Sequence, residues 1–232
     1  MGVNSISIII PVFNERNTIV EIINRVKNSN TLGLKKEIII IDDGSNDGTT
    51  NTLKQVRGKN VKTIYLKKNR GKGFALRTGF KQAAGDIVLV QDSDLEYHPK
   101  DYPKLIRPFI DDGAKVVYGS RELSGKNKHS SIFFHAGGRL VTLLTNILYG
   151  SNLTDEATGY KAFDKKLLKK LPLKCQKFEF CPEVTGLVLK KGIAIREVPI
   201  SYYRRHHNEG KKIKAKDGFE AIWTLLKIRF TR

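Results

Sequence analysis

With 232 residues, 40% of them hydrophobic and 28% charged, the chain is long enough to bury a sizeable core and too apolar to be disordered. A formal charge of +19 implies an anionic partner, whether nucleic acid, an acidic membrane surface or a phosphorylated small molecule, and says little about fold. The only cysteines, Cys175 and Cys181, exclude a disulfide framework and suit a reducing compartment.

The first half alternates apolar runs with helical patterns. Strands are expected over residues 5–10, 37–41, 61–65, 86–90 and 115–118, and helices between them over 18–28, 49–56, 73–84 and 99–112. In the first helix Ile19, Ile22, Ile23 and Val26 fall on one face. The repeat of strand and helix is that of βαβ units, so an α/β fold is expected, a mainly parallel sheet with helices on both faces. After Arg121 the pattern changes. Residues 124–131 are polar and basic and read as a mobile loop. A helix over 134–149, a loop at 151–158, a strand at 160–163, a helix near 182–191 and a strand at 193–199 follow. A basic loop then spans 203–216, and a terminal helix, 217–229, takes Asp217 as its N-cap.

Three strand ends carry chemistry. The run Ile87-Val88-Leu89-Val90 leads into Gln91-Asp92-Ser93-Asp94-Leu95-Glu96. Carboxylates one residue apart, at the end of a buried strand, can hold Mg²⁺ or Mn²⁺ over a diphosphate; the same residues also suit a solvated turn. The first strand ends in Pro11-Val12-Phe13-Asn14-Glu15, and the second in Asp42-Asp43-Gly44-Ser45-Asn46-Asp47-Gly48-Thr49. Both fall at the same sheet edge, where acidic groups can bind a base or ribose and Phe13 offers an apolar face. In Asn69-Arg70-Gly71-Lys72-Gly73 the glycines permit close backbone approach, and the following helix N-terminus favours phosphate, with Lys72 or Arg70 adding charge.

Taken together, these motifs in this order resemble the family 2 glycosyltransferases, which have the GT-A fold. The likeness is strong over residues 5–121. Gly119-Ser120-Arg121, the stretch from Asp155 to Phe163, and Glu197-Val198-Pro199 extend it toward the subgroup that makes polyprenyl-phosphate sugars, the dolichol-phosphate mannose synthases among them. The resemblance implies one GT-A catalytic domain over 1–232, with 1–121 binding a nucleotide sugar and 122–232 the acceptor. Pro11, Phe13, Glu15, Asp42 and Asp43 would line the nucleoside pocket, with Lys72 and Ser93 also on the donor. Asp92 and Asp94 would contact metal and diphosphate, and Glu96 stands where a Gln is common as a third ligand. The implied reaction moves mannose or glucose, from GDP-mannose or UDP-glucose, to a polyprenyl (dolichyl) phosphate, with inversion and with Mg or Mn as cofactor.

A phosphate acceptor is already an anionic nucleophile, so no general base is essential. Two anions must instead be brought together, and cations must converge to offset their repulsion. Arg121, Arg139, Arg204, Arg205 and Lys211 are the candidates, Arg for its bidentate phosphate geometry; Arg121 joins Asp92 and Asp94 as catalytic. A hydroxyl acceptor on a saccharide or protein would instead require a base, for which Asp155 and Glu179 are candidates; with phosphate, Asp155 organises the site. Between residues 201 and 232 there are nine Lys or Arg against three Asp or Glu. Phe219, Ile222, Trp223, Leu226 and Phe230 recur there at helical spacing, so this helix either lies on an acidic membrane or packs on the core. No apolar run is long enough to cross a bilayer. The expected location is therefore peripheral, on the cytoplasmic face, with lipid reached from the surface or through a separate membrane protein. A non-catalytic membrane- or nucleic-acid-binding protein is the alternative from charge alone. No RNA-binding module is present, and the acidic loops would repel a phosphate backbone, so nucleic acid is not expected as a partner.

Overall fold

The computed structural model describes residues 2–125, 127, 132–204 and 215–231. Seven strands form one sheet: β1 (Ser5–Val12), β2 (Lys35–Asp42), β3 (Val61–Tyr65), β4 (Ile87–Val90), β5 (Val116–Ser120), β6 (Lys161–Asp164) and β7 (Arg196–Pro199), in the order β3-β2-β1-β4-β6-β5-β7. The eight helices among the described residues are α1 (Ile19–Lys27), α2 (Thr49–Gln55), α3 (Lys72–Gln82), α4 (Tyr102–Asp111), α5 (Ile132–Tyr149), α6 (Lys165–Lys169), α7 (Phe180–Lys190) and α8 (Ala215–Phe230).

The continuous apolar strands are explained by cover on both faces. Ile6, Ile8 and Ile10 of β1 pack with α1 and α4, whereas Ile9 faces the other way, with α3 and α7. Such runs suit parallel strands, because their crossover helices enclose both sides of a sheet. Pairing is parallel for β1 with β2 and β4, for β2 with β3, and for β5 with β7. The exception is β6, antiparallel to both β4 and β5. Two reversals leave β5 running with β4, so the ends of β1, β2, β4 and β5 meet at one sheet edge. The chain also enters β6 at that edge, which brings residues 154–160 beside the strand tips.

Several boundaries differ from expectation. Residues 99–112 open with a 3₁₀ turn, Pro99–Asp101, before α4. The seventh strand starts at Arg196, three residues late. Helix α6 was not expected; Asp164 caps it, its Oδ1 accepting the Leu167 amide at 2.8 Å. Helix α8 begins at Ala215, so Asp217 lies in its first turn and is not its N-cap; the acidic group still opposes the positive helix end. Most of the loop at 124–131 and of the basic loop at 203–216 lies outside the described residues.

Helices α5 and α8 pack on each other and on α7. Val141, Ala221 and Leu225 form a small core there, and the Tyr149 hydroxyl donates to the Leu225 carbonyl at 2.8 Å. Other apolar side chains on the pair point outward: Leu140, Leu143 and Ile147 on α5, and Phe219, Trp223 and Phe230 on α8, the last three 76%, 68% and 76% exposed.

Candidate active site

The acidic loop after β4 is held from beneath by Gln91. Its Oε1 accepts from the hydroxyls of Tyr102 (2.8 Å) and Tyr160 (2.6 Å), and its Nε2 donates to the Asp92 carbonyl at 3.0 Å. Leu95 takes φ +67°, a left-handed conformation that costs roughly 1–2 kcal/mol in a non-glycine residue. That turn brings Glu96 back beside Asp94, and the Glu96 amide donates to Asp94 Oδ1 at 3.2 Å. Ser93 turns inward, its hydroxyl donating to the Pro11 carbonyl at 3.1 Å and so tying the loop to the end of β1.

Charge in this loop is only partly balanced. Lys72 Nζ lies 2.6 Å from Asp92 Oδ1. Burial works against the Lys72 charge, but Asp92, with Cys181 and Asp94, outweighs it and holds the ammonium above its usual range. Among the described residues no cation forms an ion pair with Asp94: burial, then the Asp92 and Glu96 carboxylates, push its pKa up to about 7. Crowded oxygen donors with excess negative charge fit a hard divalent cation such as Mg²⁺ or Mn²⁺. No three His, Cys, Asp or Glu groups among the described residues form a ready-made cage, however. Asp92 is drawn to Lys72, and Glu96 accepts from the Tyr202 hydroxyl at 2.9 Å. These carboxylates, completed by diphosphate oxygens, suit the arrangement better than a protein-only cage.

On the donor side, Pro11, Phe13, Glu15 and Asp43 line the cleft. Asp43 accepts the amides of Arg70 (2.9 Å) and Gly71 (2.7 Å), and burial still raises its pKa. Asp42 is not among the lining residues: it faces its own loop, accepting from the Ser45 amide at 3.0 Å and from the Thr50 hydroxyl. The glycines at 71 and 73 do permit close approach, but by the chain itself. A Cβ on Gly71 would stand 2.5 Å from the Gln176 carbonyl oxygen, and one on Gly73 2.9 Å from that of Lys177. The amides of Gly73 and Phe74 donate to those same carbonyls, so these two donors of the α3 N-terminus are not turned to phosphate, contrary to the expectation. Lys72 reaches the acidic loop, while Arg70, which also lines the cleft, stacks on Phe74 at 3.6 Å.

On the opposite wall, Arg121 and Asp155 form a bidentate pair. Arg121 Nε donates to Asp155 Oδ2 and Nη2 to Oδ1, both at 2.7 Å, and the Arg121 amide adds a third bond at 3.0 Å. Burial opposes the Asp155 charge, but Arg121 prevails and holds the carboxyl below the ordinary range. Glu197 fixes the loop that carries Asp155, its carboxylate accepting the amides of Thr154 (2.7 Å) and Asp155 (3.0 Å). Arg139 lines the cleft, largely exposed, 3.9 Å from Glu122. Arg204 is exposed and lies outside the lining, while Arg205 and Lys211 fall outside the described residues. Glu179 accepts the amides of Gln176 and Lys177.

The whole cleft measures about 1420 Å³ and runs from Phe13 past Asp94 and Arg121 to α5 and the start of α8. Sequence reasoning gave no individual role to Gln91, Tyr97, Gly159, Tyr160, Lys161 or Tyr202, although Gln91 and residues 159–161 lie within the motifs that carry the resemblance. Lys161 is wholly buried, donating to the Glu156 carbonyl at 2.7 Å and lying 3.5 Å from the Tyr118 ring centroid. Its sequence signals were its place in the stretch from Asp155 to Phe163 and its position as a lysine in a short apolar strand.

Comparison with known proteins agrees with this architecture. Residues 7–172 match the family model described as Glycosyl transferase family 2. A UDP-N-acetylglucosamine–dolichyl-phosphate N-acetylglucosaminyltransferase of Methanococcus voltae is 31% identical over 97% of this chain and 96% of its own length. A dolichol-phosphate mannosyltransferase of Pyrococcus furiosus is also 31% identical, over 94% of this chain but only 61% of its own. Among solved structures, glucosyl-3-phosphoglycerate synthase from Mycobacterium tuberculosis, with Mn²⁺, UDP and phosphoglyceric acid, superposes with a TM-score of 0.75 at 23% identity, covering 99% of this chain and 80% of that one. That likeness speaks for the fold.

Proposed function

This chain belongs to glycosyl transferase family 2, and from that membership we propose that it moves a hexose from a nucleotide diphosphate sugar to a polyprenyl phosphate, with inversion. Residues 1–121 hold the donor, and residues 122–232, together with Arg121 at the boundary, hold the acceptor. The observation that carries this reading is the Arg121–Asp155 pair. A carboxylate gripped at both oxygens by a guanidinium and held below its usual pKa is a poor general base. Glu179, the other candidate base, is occupied by two backbone amides. A hydroxyl acceptor would need such a base, whereas a phosphate does not. The reading draws support from relatives named for dolichyl phosphate.

In the reaction, an acceptor phosphate oxygen attacks the anomeric carbon as its bond to the donor diphosphate breaks. Asp92, Asp94 and Glu96 would hold Mg²⁺ or Mn²⁺, which when bound offsets charge on the departing diphosphate. Lys72, beside Asp92, adds a fixed positive charge at the same end. Arg121 spends two of its side-chain donors on Asp155, which aims the remaining N–H groups at the acceptor phosphate. Arg139 adds charge at the mouth.

The outward apolar residues of α5 and α8 support docking on an acidic membrane surface, with Lys227 and Arg229 nearby on α8. No helix among the described residues is long and apolar enough to cross a bilayer. The test is transfer from radiolabelled GDP-mannose, UDP-glucose and UDP-N-acetylglucosamine to a short polyprenyl phosphate or to free sugars, with Mn²⁺ or Mg²⁺ and an EDTA control. The M. voltae relative adds the third donor to the two expected from sequence. Label in the lipid fraction, lost with EDTA and in Asp94→Asn, is expected. Transfer to sugar hydroxyls alone, or full activity in Asp94→Asn, refutes the reading.

A further inference from the structure

Tyr202 stands where the two halves of the site meet, and each of its faces is in use. Its hydroxyl donates to Glu96 Oε1 at 2.9 Å. Its ring centroid lies 5.4 Å from the Arg121 guanidinium carbon and 5.6 Å from the Tyr97 ring centroid. Its backbone is equally constrained. Tyr97 and Tyr202 form an isolated antiparallel bridge, and the Tyr203 amide donates to the Glu96 carbonyl at 2.8 Å. The Tyr202 amide donates to Asn127 Oδ1 at 2.9 Å, while Asn127 Nδ2 donates to the carbonyls of Arg121 (2.7 Å) and Ile200 (2.9 Å). The segment leaving β7 is thus stitched to the acidic loop after β4 and to the turn after β5.

We propose that Tyr202 is a positioning residue that couples the donor and acceptor halves, its hydroxyl fixing Glu96 beside the cation and diphosphate while its ring fixes the Arg121 guanidinium at the acceptor phosphate. This rests on the functional reading above. The chemistry of each contact is distinct. A phenol donating to one oxygen of a carboxylate sets the direction of the other, and partners of this kind, one shell out from a metal, typically change its affinity 10–100-fold when removed. The ring offers Arg121 an electron-rich surface that does not compete with its hydrogen bonds to Asp155.

Two substitutions separate the roles. Tyr202→Phe removes only the hydroxyl; Tyr202→Leu also removes the ring. Mn²⁺ affinity is read by electron paramagnetic resonance titration with UDP or GDP present and no acceptor, so catalysis is not involved. Tyr202→Phe is expected to weaken Mn²⁺ binding about 10-fold, with the KM for polyprenyl phosphate changed less than about 2-fold. Tyr202→Leu is expected to add a rise of about 5-fold in that KM, the size of a modest cation–π contact. Thermal melts confirm that both variants fold; if Tyr202→Leu does not, the Mn²⁺ titration of Tyr202→Phe decides the proposal. Mn²⁺ titrations of wild type and Tyr202→Phe that superimpose overturn the proposal, as does an equal rise of acceptor KM in both variants. If wild type itself binds no Mn²⁺ with either nucleotide, the functional reading fails and this inference falls with it.

Discussion

Gly159 offers a sharp test of the site geometry, because the perturbation is a single methyl group on a residue that has no reacting side chain, placed directly against Asp92. A Cβ built there would stand 2.2 Å from Asp92 Oδ2 and 2.9 Å from Tyr97 Cε2. Neither neighbour yields easily. Asp92 is held by Lys72 at 2.6 Å. The Tyr97 ring is 3% exposed, packed 4.8 Å from the Tyr160 centroid, and its hydroxyl accepts the Gly159 amide at 2.9 Å. The Gly159 backbone itself is not left-handed, so alanine brings no strain of its own and the whole effect comes from the contact. To reach ordinary separation the Asp92 oxygen must retreat by roughly 1 Å, and misplacement of that size costs on the order of 10²-fold in rate. Overpacking adds about 1–3 kcal/mol of destabilisation. Gly159→Ala is therefore expected to remain folded at 25 °C, with kcat for lipid-phosphate glycosylation down about 100-fold and weaker Mn²⁺·nucleotide binding. The matched control for folding is Gly137→Ala in α5, where a Cβ meets nothing within 4 Å; alanine there is expected to add about 1 kcal/mol of stability through helix propensity. Wild-type kcat in Gly159→Ala would show that Asp92 is not where the reaction needs it, and the donor-site argument would fail.

Other outcomes follow from the same contacts. Asp155→Asn removes the charge that orients Arg121 and is expected to raise the KM for polyprenyl phosphate about 10-fold while leaving measurable kcat, as for loss of a charge-assisted bond; complete inactivity with unchanged KM would instead mark Asp155 as a base. The pH dependence has a definite sign. The folded pKa of Asp155 is depressed, so its contribution is present above the ordinary carboxylate range and lost as pH falls through the folded value. Wild type should therefore lose more stability than Asp155→Asn between about pH 5 and pH 2 in urea unfolding, and identical acid limbs would contradict the pairing. Trp223→Ser, at a position 68% exposed, should leave the melting temperature within a degree or two but weaken binding to anionic vesicles about 10-fold or more, the burial value of such a ring; unchanged vesicle binding removes α8 from the docking surface. Gly71 has φ +94° and faces the Gln176 carbonyl, so Gly71→Ala should destabilise by more than about 1 kcal/mol in the same unfolding assay.

The elements legible in the sequence were those governed by local pattern. Apolar runs such as Ile87–Val90 read as strands covered on both faces, and Ile19, Ile22, Ile23 and Val26 as one face of a helix; both stand as read. Asp92, Ser93 and Asp94 were legible because a strand end fixes where its next residues emerge. What the sequence could not supply was partnership between distant segments. Asp42 and Asp43 are adjacent and alike, yet one closes its own loop and the other receives the amides of Arg70 and Gly71. Glycines that suggested a phosphate cradle serve a chain crossing a hundred residues away. The reversal of β6 brings Asp155 to Arg121 and Gly159 against Asp92, and no periodicity encodes it, because a strand's side-chain alternation is the same whichever way it runs. Local chemistry thus determined which side chains could act. Long-range packing decided which of them face one another across the cleft.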